Sequence, residues 1–344
     1  MAAVVSLTPA PVIDRIYLLD SFDTGKVNRA REIQEFLSGK GLNVSRSLRL
    51  AGVPTSAVLP IGREDEHLLF RTPHPHILRL KSIPGRMRVN TAILEEDGRT
   101  TNINQRAVPV PRDDWEATVD MTITEIQNLR ADWLVVSGSI PRYAGTEPGG
   151  ERVDLQRLFE RARELGTRVA FDSSGDSLET WTKSGLVNLI KPNADELATL
   201  VGRHLETVGD VMDAARDLIS NTGLEAALVS MGGDGAIAMT ENEAIWGLAK
   251  APKVVNTTGA GDATLAGFLG WSVPETGSGG REDHGDLPEL HLREGLEKAV
   301  AFGALCVSLP TTILESLDDL PEPVTSEPDP SRKLEEPTKF FDHP

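Results

Sequence analysis

Short apolar runs alternate with longer amphipathic stretches along most of this chain. The runs at 3–7, 56–61, 133–137, 168–172, 189–191 and 226–230 are rich in Val, Leu and Ala. Nearly continuous runs of this kind suit strands buried on both faces, whereas a strand with one wet face alternates. Between them, 42–50, 113–129, 154–165, 193–201 and 208–221 carry the helical spacing of apolar positions. Strands alternating with helices imply parallel crossovers. The expected fold class is therefore α/β, a parallel sheet covered by helices on both faces.

Two stretches break this rhythm. Residues 11–37 and 85–105 look like strands with no helix between them, and 88–94 with 100–104 reads as a hairpin turning at Glu96-Asp97-Gly98. They either extend the main sheet or form a small antiparallel sheet projecting from it. Residues 273–288 are Gly-rich and charged, which suits a surface loop between two helices. Beyond Leu320 the chain is rich in Pro, Glu and Asp, so 321–344 is expected to be an acidic tail, disordered or loosely attached. No internal repeat is visible.

Composition narrows the function classes. At 344 residues the chain suits one large domain, or one domain plus a smaller one, and a single domain is expected over 1–320. A net charge of −17 makes it a poor partner for nucleic acid, whose phosphates it would repel, and for anionic membranes. If its ligands are anions, the cations must gather in one cleft. The single cysteine, Cys306, excludes an internal disulfide and Cys-x-x-Cys metal clusters, and fits a reducing compartment. The start lacks a signal-peptide pattern and no apolar run is long enough to span a membrane, so a cytoplasmic setting is expected.

The segment Val254-Val255-Asn256-Thr257-Thr258-Gly259-Ala260-Gly261-Asp262-Ala263-Thr264 is the most informative. An apolar strand leads into a small-residue turn, which opens a helix over 263–271. Glycines let backbone approach a ligand, and free N–H groups at a helix start attract an anion. No Gly-Lys-Ser/Thr follows, so this is not a Walker loop, and Thr264 stands where a dinucleotide fingerprint has its third glycine. Asp262 at the helix mouth is then either a cap or a functional carboxylate. In either role the helix dipole is expected to keep it ionised at neutral pH. Four other polar, mostly glycine-bearing turns lie at or near expected strand ends: Ser230-Met231-Gly232-Gly233-Asp234-Gly235, Lys191-Pro192-Asn193-Ala194-Asp195-Glu196, Ser137-Gly138-Ser139-Ile140-Pro141 and Ser38-Gly39-Lys40-Gly41-Leu42-Asn43. Open parallel sheets bind ligands at such ends.

On these residues the chain resembles the PfkB carbohydrate kinases, which have the ribokinase-like fold. One family signature is similar to Thr258-Gly259-Ala260-Gly261-Asp262, the other to Gly39-Lys40-Gly41-Leu42-Asn43, and the resemblance runs from residue 4 to about 317. Gly85-Arg86-Met87-Arg88-Val89-Asn90, Lys40 and Asp172-Ser173-Ser174-Gly175 resemble the 1-phosphofructokinase and tagatose-6-phosphate kinase branch. Thr8 departs from it, because the branch has Asn there.

The resemblance implies a three-layer core with a small β-sheet lid, formed by about 10–37 and 85–106. The lid strands carry apolar residues such as Ile33, Phe36 and Leu37, and a small sheet buries only one face on its own core, so a homodimer joined through that lid is expected. It implies ATP-dependent phosphorylation of a hexose phosphate, fructose 1-phosphate before tagatose 6-phosphate, fructose 6-phosphate or an unphosphorylated sugar. A non-catalytic sugar-phosphate-binding regulator is the alternative outside enzymes. Asp262 would be the base, with Gly259, Ala260 and Gly261 cradling the transferring group. Asp14, Gly39, Lys40, Asn43, Arg88, Asn90 and Ser137 would line the sugar site, where Lys40 and Arg88, with Lys26 as a third candidate, bind the phosphate already present. Lys191, Asn193, Ser230, Gly232, Gly233, Gly235 and Thr258 would hold ATP. Asn193 and Glu196 would organise Mg²⁺ through waters.

Overall fold

The expected buried runs pair with one another as the middle of one large sheet. The computed structural model describes residues 1–145, 150–274, 287–309, 311 and 313–338. In chain order the strands are β1 (Val4–Leu7), β2 (Val12–Leu19), β3 (Glu32–Ser38), β4 (Thr55–Gly62), β5 (Leu78–Ile83), β6 (Arg88–Glu95), β7 (Thr100–Asn104), β8 (Trp133–Ser137), β9 (Arg168–Asp172), β10 (Leu189–Ile190), β11 (Ala226–Ser230), β12 (Ala236–Met239), β13 (Ala244–Ala249) and β14 (Pro323–Ser326). The helices are α1 (Lys40–Leu50), α2 (Arg112–Leu129), α3 (Gln156–Glu164), α4 (Gly175–Thr182), α5 (Ala194–Val201), α6 (Val208–Thr222), α7 (Ala260–Trp271) and α8 (Leu292–Cys306).

The main sheet runs in the order β14-β13-β12-β11-β10-β9-β8-β1-β4-β5. Every pairing from β11 to β5 is parallel, and the β12–β14 side is antiparallel. Alternate strand residues feed two cores. Val5, Leu7, Leu134, Val136 and Phe171 pack with residues of α2, α3 and α6, such as Trp115, Phe159 and Val211. Val4, Trp133, Val135 and Ala170 pack with residues of α1, α7 and α8, such as Leu48, Phe268 and Phe302. This two-sided burial explains why the central runs lack a polar alternation. Each of the Val, Leu and Phe side chains contributes roughly 1.5–3 kcal/mol when fully buried. Helices α7 and α8 lie very close together: a side chain at Gly267 would strike the backbone of Lys298, and one at Gly303 would strike Thr264. That contact holds the start of α7 against α8.

The second sheet has the order β3-β2-β6-β7 and is built from the two stretches that broke the sequence rhythm. It is mixed and not purely antiparallel, because its central pair, β2 with β6, is parallel. Asp14 pairs with Asn90 and Val12 with Arg88 in that register, so Asp14, Arg88 and Asn90 share one face.

Two expectations are corrected. The segment before α7 is not a strand; Val254 and Val255 are exposed, and Val255 N–H donates to Val307 O at 2.8 Å. The segment after Leu320 is not loose as far as residue 338: β14 joins β13 as an edge strand and Leu334 is buried in the core. Most of the expected 273–288 loop lies outside the described residues. Among the described residues, no helix is long and apolar enough to cross a membrane.

Candidate functional site

The carboxyl ends of β8, β9, β10 and β11 open into a cleft of about 1760 Å³, floored by the starts of α1 and α7 and roofed by Asp14, Arg88 and Asn90. A single small-ligand site occupies roughly 300–1,000 Å³, so this cleft has room for two ligands side by side.

At its centre is Asp262, the third residue of α7 and 6% exposed. Gly259 precedes the helix in the left-handed region at φ 86°, and α7 has no side-chain cap. The Asp262 carboxylate instead accepts from Asn43 Nδ2 at 3.0 Å, which removes the capping alternative. Burial pushes its pKa up to about 7; the charge of Asp172 adds to this, while Lys40, the Asn43 hydrogen bond and Lys191 oppose it. The expectation of a carboxylate ionised throughout the neutral range is therefore corrected, because burial outweighs the helix dipole here. A group poised near neutrality suits a general base.

Beneath Asp262 lies a second buried carboxylate. Asp172, at the end of β9, sits 3.4 Å from both Lys40 Nζ and Lys191 Nζ and accepts from Ser137 Oγ at 2.8 Å. Burial alone would raise its pKa, but Lys191, Lys40 and the Ser137 hydroxyl hold it at about 2. Asp172 thus fixes two ammonium groups beside the turn that begins α7. A side chain at Gly261 would come 3.1 Å from Lys191 Nζ, so glycine here keeps the helix start close to that ammonium. The N–H groups of Gly261 and Asp262 open α7, where no intrahelical acceptor exists for them.

Lys40 belongs to this cluster electrostatically. Asp172, Asp262 and Glu196 all raise its pKa, whereas the carboxylate acting on Arg88 is Asp14. The ion pair that Lys40 forms is with Asp172 at 3.4 Å, and the charge of Asp262 acts on it as well. Ser137 is moved: it is fully buried, spends its hydroxyl on Asp172, and leaves Ser139 on the cleft wall. Lys26 is exposed, ion-paired with Asp23 at 3.2 Å, and outside the cleft wall.

At the roof, Arg88 donates to Ala10 O at 2.9 Å and Gln105 O at 3.3 Å. Burial raises the pKa of Asp14, against the Ser38 hydrogen bond and the charges of Arg88 and Arg46. Arg88 Nε, Asn90 Oδ1 and Asn43 Oδ1 are buried without a protein partner. Buried polar atoms are rarely left so, and three around one cleft suit a polyhydroxylated ligand. Gly39, at φ 145°, has no room for a side chain beside Thr8. Thr8 itself is buried and accepts from Leu42 N–H at 2.9 Å, so this departure from the branch lies behind the wall.

At the far end Ser230, Gly232, Gly233, Gly235 and Thr258 line the cleft. Gly235, at φ 87°, passes so close to Gly247 O that a side chain is excluded. Asn193 and Glu196 form a capping box on α5: Glu196 N–H donates to Asn193 Oδ1 at 2.8 Å, and Asn193 N–H to Glu196 Oε2 at 3.0 Å. Both also line the cleft. Sequence reasoning did not single out Arg106, Arg142 and Arg152, which line it too. Their one available signal was position: Arg106 follows the hairpin and Arg142 follows the Ser-Gly-Ser-Ile-Pro turn.

Comparison with known proteins agrees with this geometry. The profile for pfkB family carbohydrate kinases matches residues 1–319. The chain is 32% identical over 270 residues to a 1-phosphofructokinase of Rhodobacter capsulatus, covering 78% of this chain and 82% of that protein. It is 30% identical to a 1-phosphofructokinase of Bacillus subtilis, covering 77% and 84%. Among solved structures, phosphofructokinase-2 from Escherichia coli in complex with substrates and products superposes with a TM-score of 0.75 at 25% identity, over 92% of this chain and 97% of that one.

Proposed function

The chain belongs to the pfkB family of carbohydrate kinases, and from that premise we propose that it transfers the γ-phosphoryl group of ATP to a hydroxyl of a hexose phosphate, fructose 1-phosphate in the first place. The observation that carries this reading is a buried carboxylate with a pKa of about 7, at a helix start beside two lysines anchored on Asp172. The names of the similar curated proteins support fructose 1-phosphate over other hexose phosphates.

Asp262 takes the proton of the acceptor hydroxyl. Asn43 orients it, donating to one oxygen at 3.0 Å. Lys40, Lys191 and the N–H groups at the turn of Gly259, Ala260 and Gly261 stabilise charge on the transferring phosphoryl group. Arg88 binds the phosphate already on the sugar, where a planar guanidinium matches two phosphate oxygens. Asp14 and Asn90 bind sugar hydroxyls. ATP lies between Thr258 and the Ser230–Gly235 turn, with Lys191 and Asn193 toward its phosphates. The four-stranded sheet acts as a lid over 10–37 and 85–106 that excludes water.

Among the described residues, no group of three or more His, Cys, Asp or Glu side chains forms a metal cage. One carboxylate and one amide at the cleft wall fit Mg²⁺ that keeps most of its waters. Glu196 and Asn193 would hold it, and it would neutralise charge between the phosphates of ATP. The lid has open edges at β3 and β7, with Ile33 and Ile103 more than half exposed. An open apolar edge is a liability unless covered, and a second copy of the lid is the proposed cover. The lone buried Cys306 suits a cytoplasmic setting.

The test is a coupled ADP-release assay across fructose 1-phosphate, fructose 6-phosphate, tagatose 6-phosphate, free fructose and ribose. Preference for fructose 1-phosphate is expected. Better turnover of a free sugar than of any hexose phosphate overturns the substrate class.

A further inference from the structure

Beyond residue 319, where the family match ends, the chain returns across the molecule and is held at each step. After β14, Pro330 O accepts from Gly209 N–H at 3.0 Å, and Arg332 O from Val208 N–H at 2.9 Å. Leu334 N–H then donates to Glu206 O at 2.9 Å, and Leu334 is 5% exposed. Thr338 finishes the run by accepting from Leu205 N–H at 2.9 Å.

Midway, this segment meets the back of the Gly232–Asp234 turn. Asp234 is 2% exposed. Its carboxylate takes the Arg332 guanidinium on one oxygen and Glu335 N–H, at 2.7 Å, on the other. Arg332 also lies over the Trp246 ring, 5.0 Å from its centroid, while Trp246 Nε1 donates to Asp234 O at 2.8 Å. A side chain at Gly233 would come within 2.8 Å of the Glu335 carboxylate. The turn therefore has the cleft on one side and this segment on the other. With three glycines among residues 232–235, its backbone is intrinsically loose and has few side chains of its own to fix it. Asp234 is its anchor, and Arg332 fills that anchor.

We propose that residues 329–335 form a strap that holds the Gly232–Gly235 turn in the shape ATP requires, with Arg332 as its positioning residue. The proposal rests on ATP lying at this turn. Preorganising a loop lowers the cost of ordering it on binding, so the strap acts on ATP affinity and leaves the chemical step alone.

The experiment compares the full-length parent, Arg332→Gln and Arg332→Lys by steady-state kinetics and amide hydrogen exchange, with and without a non-hydrolysable ATP analogue. Arg332→Gln is expected to raise KM for ATP about tenfold, the scale of one charge-assisted hydrogen bond. Its kcat and its KM for the sugar phosphate should stay within about twofold of the parent, and its Gly232–Gly235 amides should exchange faster without nucleotide. Arg332→Lys should recover part of both effects. An Arg332→Gln enzyme with parental KM for ATP and parental exchange at the turn overturns the strap, as does an equal loss for both substrates. If the analogue fails to protect the turn amides of the parent, the placement of ATP is wrong; the exchange comparison without nucleotide still decides whether Arg332 orders the turn.

Discussion

Replacing Lys40 by methionine keeps the length of the stem and deletes one ammonium from between two carboxylates. Two effects follow, and pH separates them. The first is direct: a charged hydrogen bond to the transferring phosphoryl group is worth about 1.5–3 kcal/mol, which predicts a fall in kcat of roughly 10–150-fold. The second acts through the base. Lys40 leads the influences that lower the Asp262 pKa from where burial alone would set it, and the net value is about 7. Without Lys40 it moves above 7. The base works deprotonated, so the acid limb of kcat/KM shifts to higher pH. Each unit of upward shift leaves about a tenfold smaller ionised fraction on the acid side. At pH 9 much of the second effect is gone and the direct loss dominates. Lys191 and Ser137 still hold Asp172, so thermal melting should show a folded enzyme. The assay is ADP release from fructose 1-phosphate and ATP between pH 5.5 and 9. A kcat within threefold of the parent at pH 9, with the acid limb unmoved, refutes the placement of Lys40 in the transfer site.

Arg88→Ala should raise KM for the sugar phosphate near a hundredfold, from about 2–3 kcal/mol of lost charge-assisted contact, and leave KM for ATP nearly unchanged; equal effects on both would remove Arg88 from the sugar end. Glu196→Gln can still close the capping box, so melting should be unchanged while the Mg²⁺ concentration for half-maximal rate rises about tenfold or more, the scale of losing a ligand-side group; an unchanged Mg²⁺ titration would leave Glu196 as a cap only. Static light scattering at micromolar concentration should give twice the chain mass, and a strict monomer would contradict association through the lid. Asp262 also has a stability signature. Its folded pKa is raised, so the parent is penalised by the buried charge above pH 7 and recovers as the pH falls through 7 toward the unfolded value. Asp262→Asn should therefore melt higher than the parent at pH 8, with the gap closing toward pH 5; a constant gap would contradict the raised pKa.

Much of the core was legible because its strands are short, apolar and local in their signal. The expected runs at 133–137, 168–172 and 226–230 match β8, β9 and β11. The edge of the sheet was harder. Leu78–Ile83 alternates Leu-Arg-Leu-Lys, as a half-exposed strand does, and Pro323–Ser326 becomes a strand only because β13 offers it an edge. Val254 and Val255 misled for the opposite reason: two apolar β-branched residues look like a strand, but both stay exposed, and Val255 N–H donates to Val307 O at the end of α8. At the site, the motifs located Asp262 and the glycines. They carried no information on Asp172 joining Lys40 to Lys191, since those residues are brought together only by the tertiary fold. The raised pKa of Asp262 is likewise a product of burial in the folded chain, with Asn43 of α1 against it, which a helix-start motif does not encode.

The most direct test of the central claim is the turnover of Asp262→Asn with saturating ATP and fructose 1-phosphate. The side chain keeps its size, and an amide can face Asn43 with its oxygen, so folding and both binding affinities should hold within a few-fold. Loss of a general base costs about 10²–10⁴ in rate, and kcat should fall by that range on the plateau above pH 7, the gap narrowing by about tenfold at pH 6 as the parent's base protonates. The acid limb near pH 7 in the parent should vanish from the residual activity. A folded Asp262→Asn enzyme with near-parental kcat and an unchanged acid limb would contradict the assignment of Asp262 as the base.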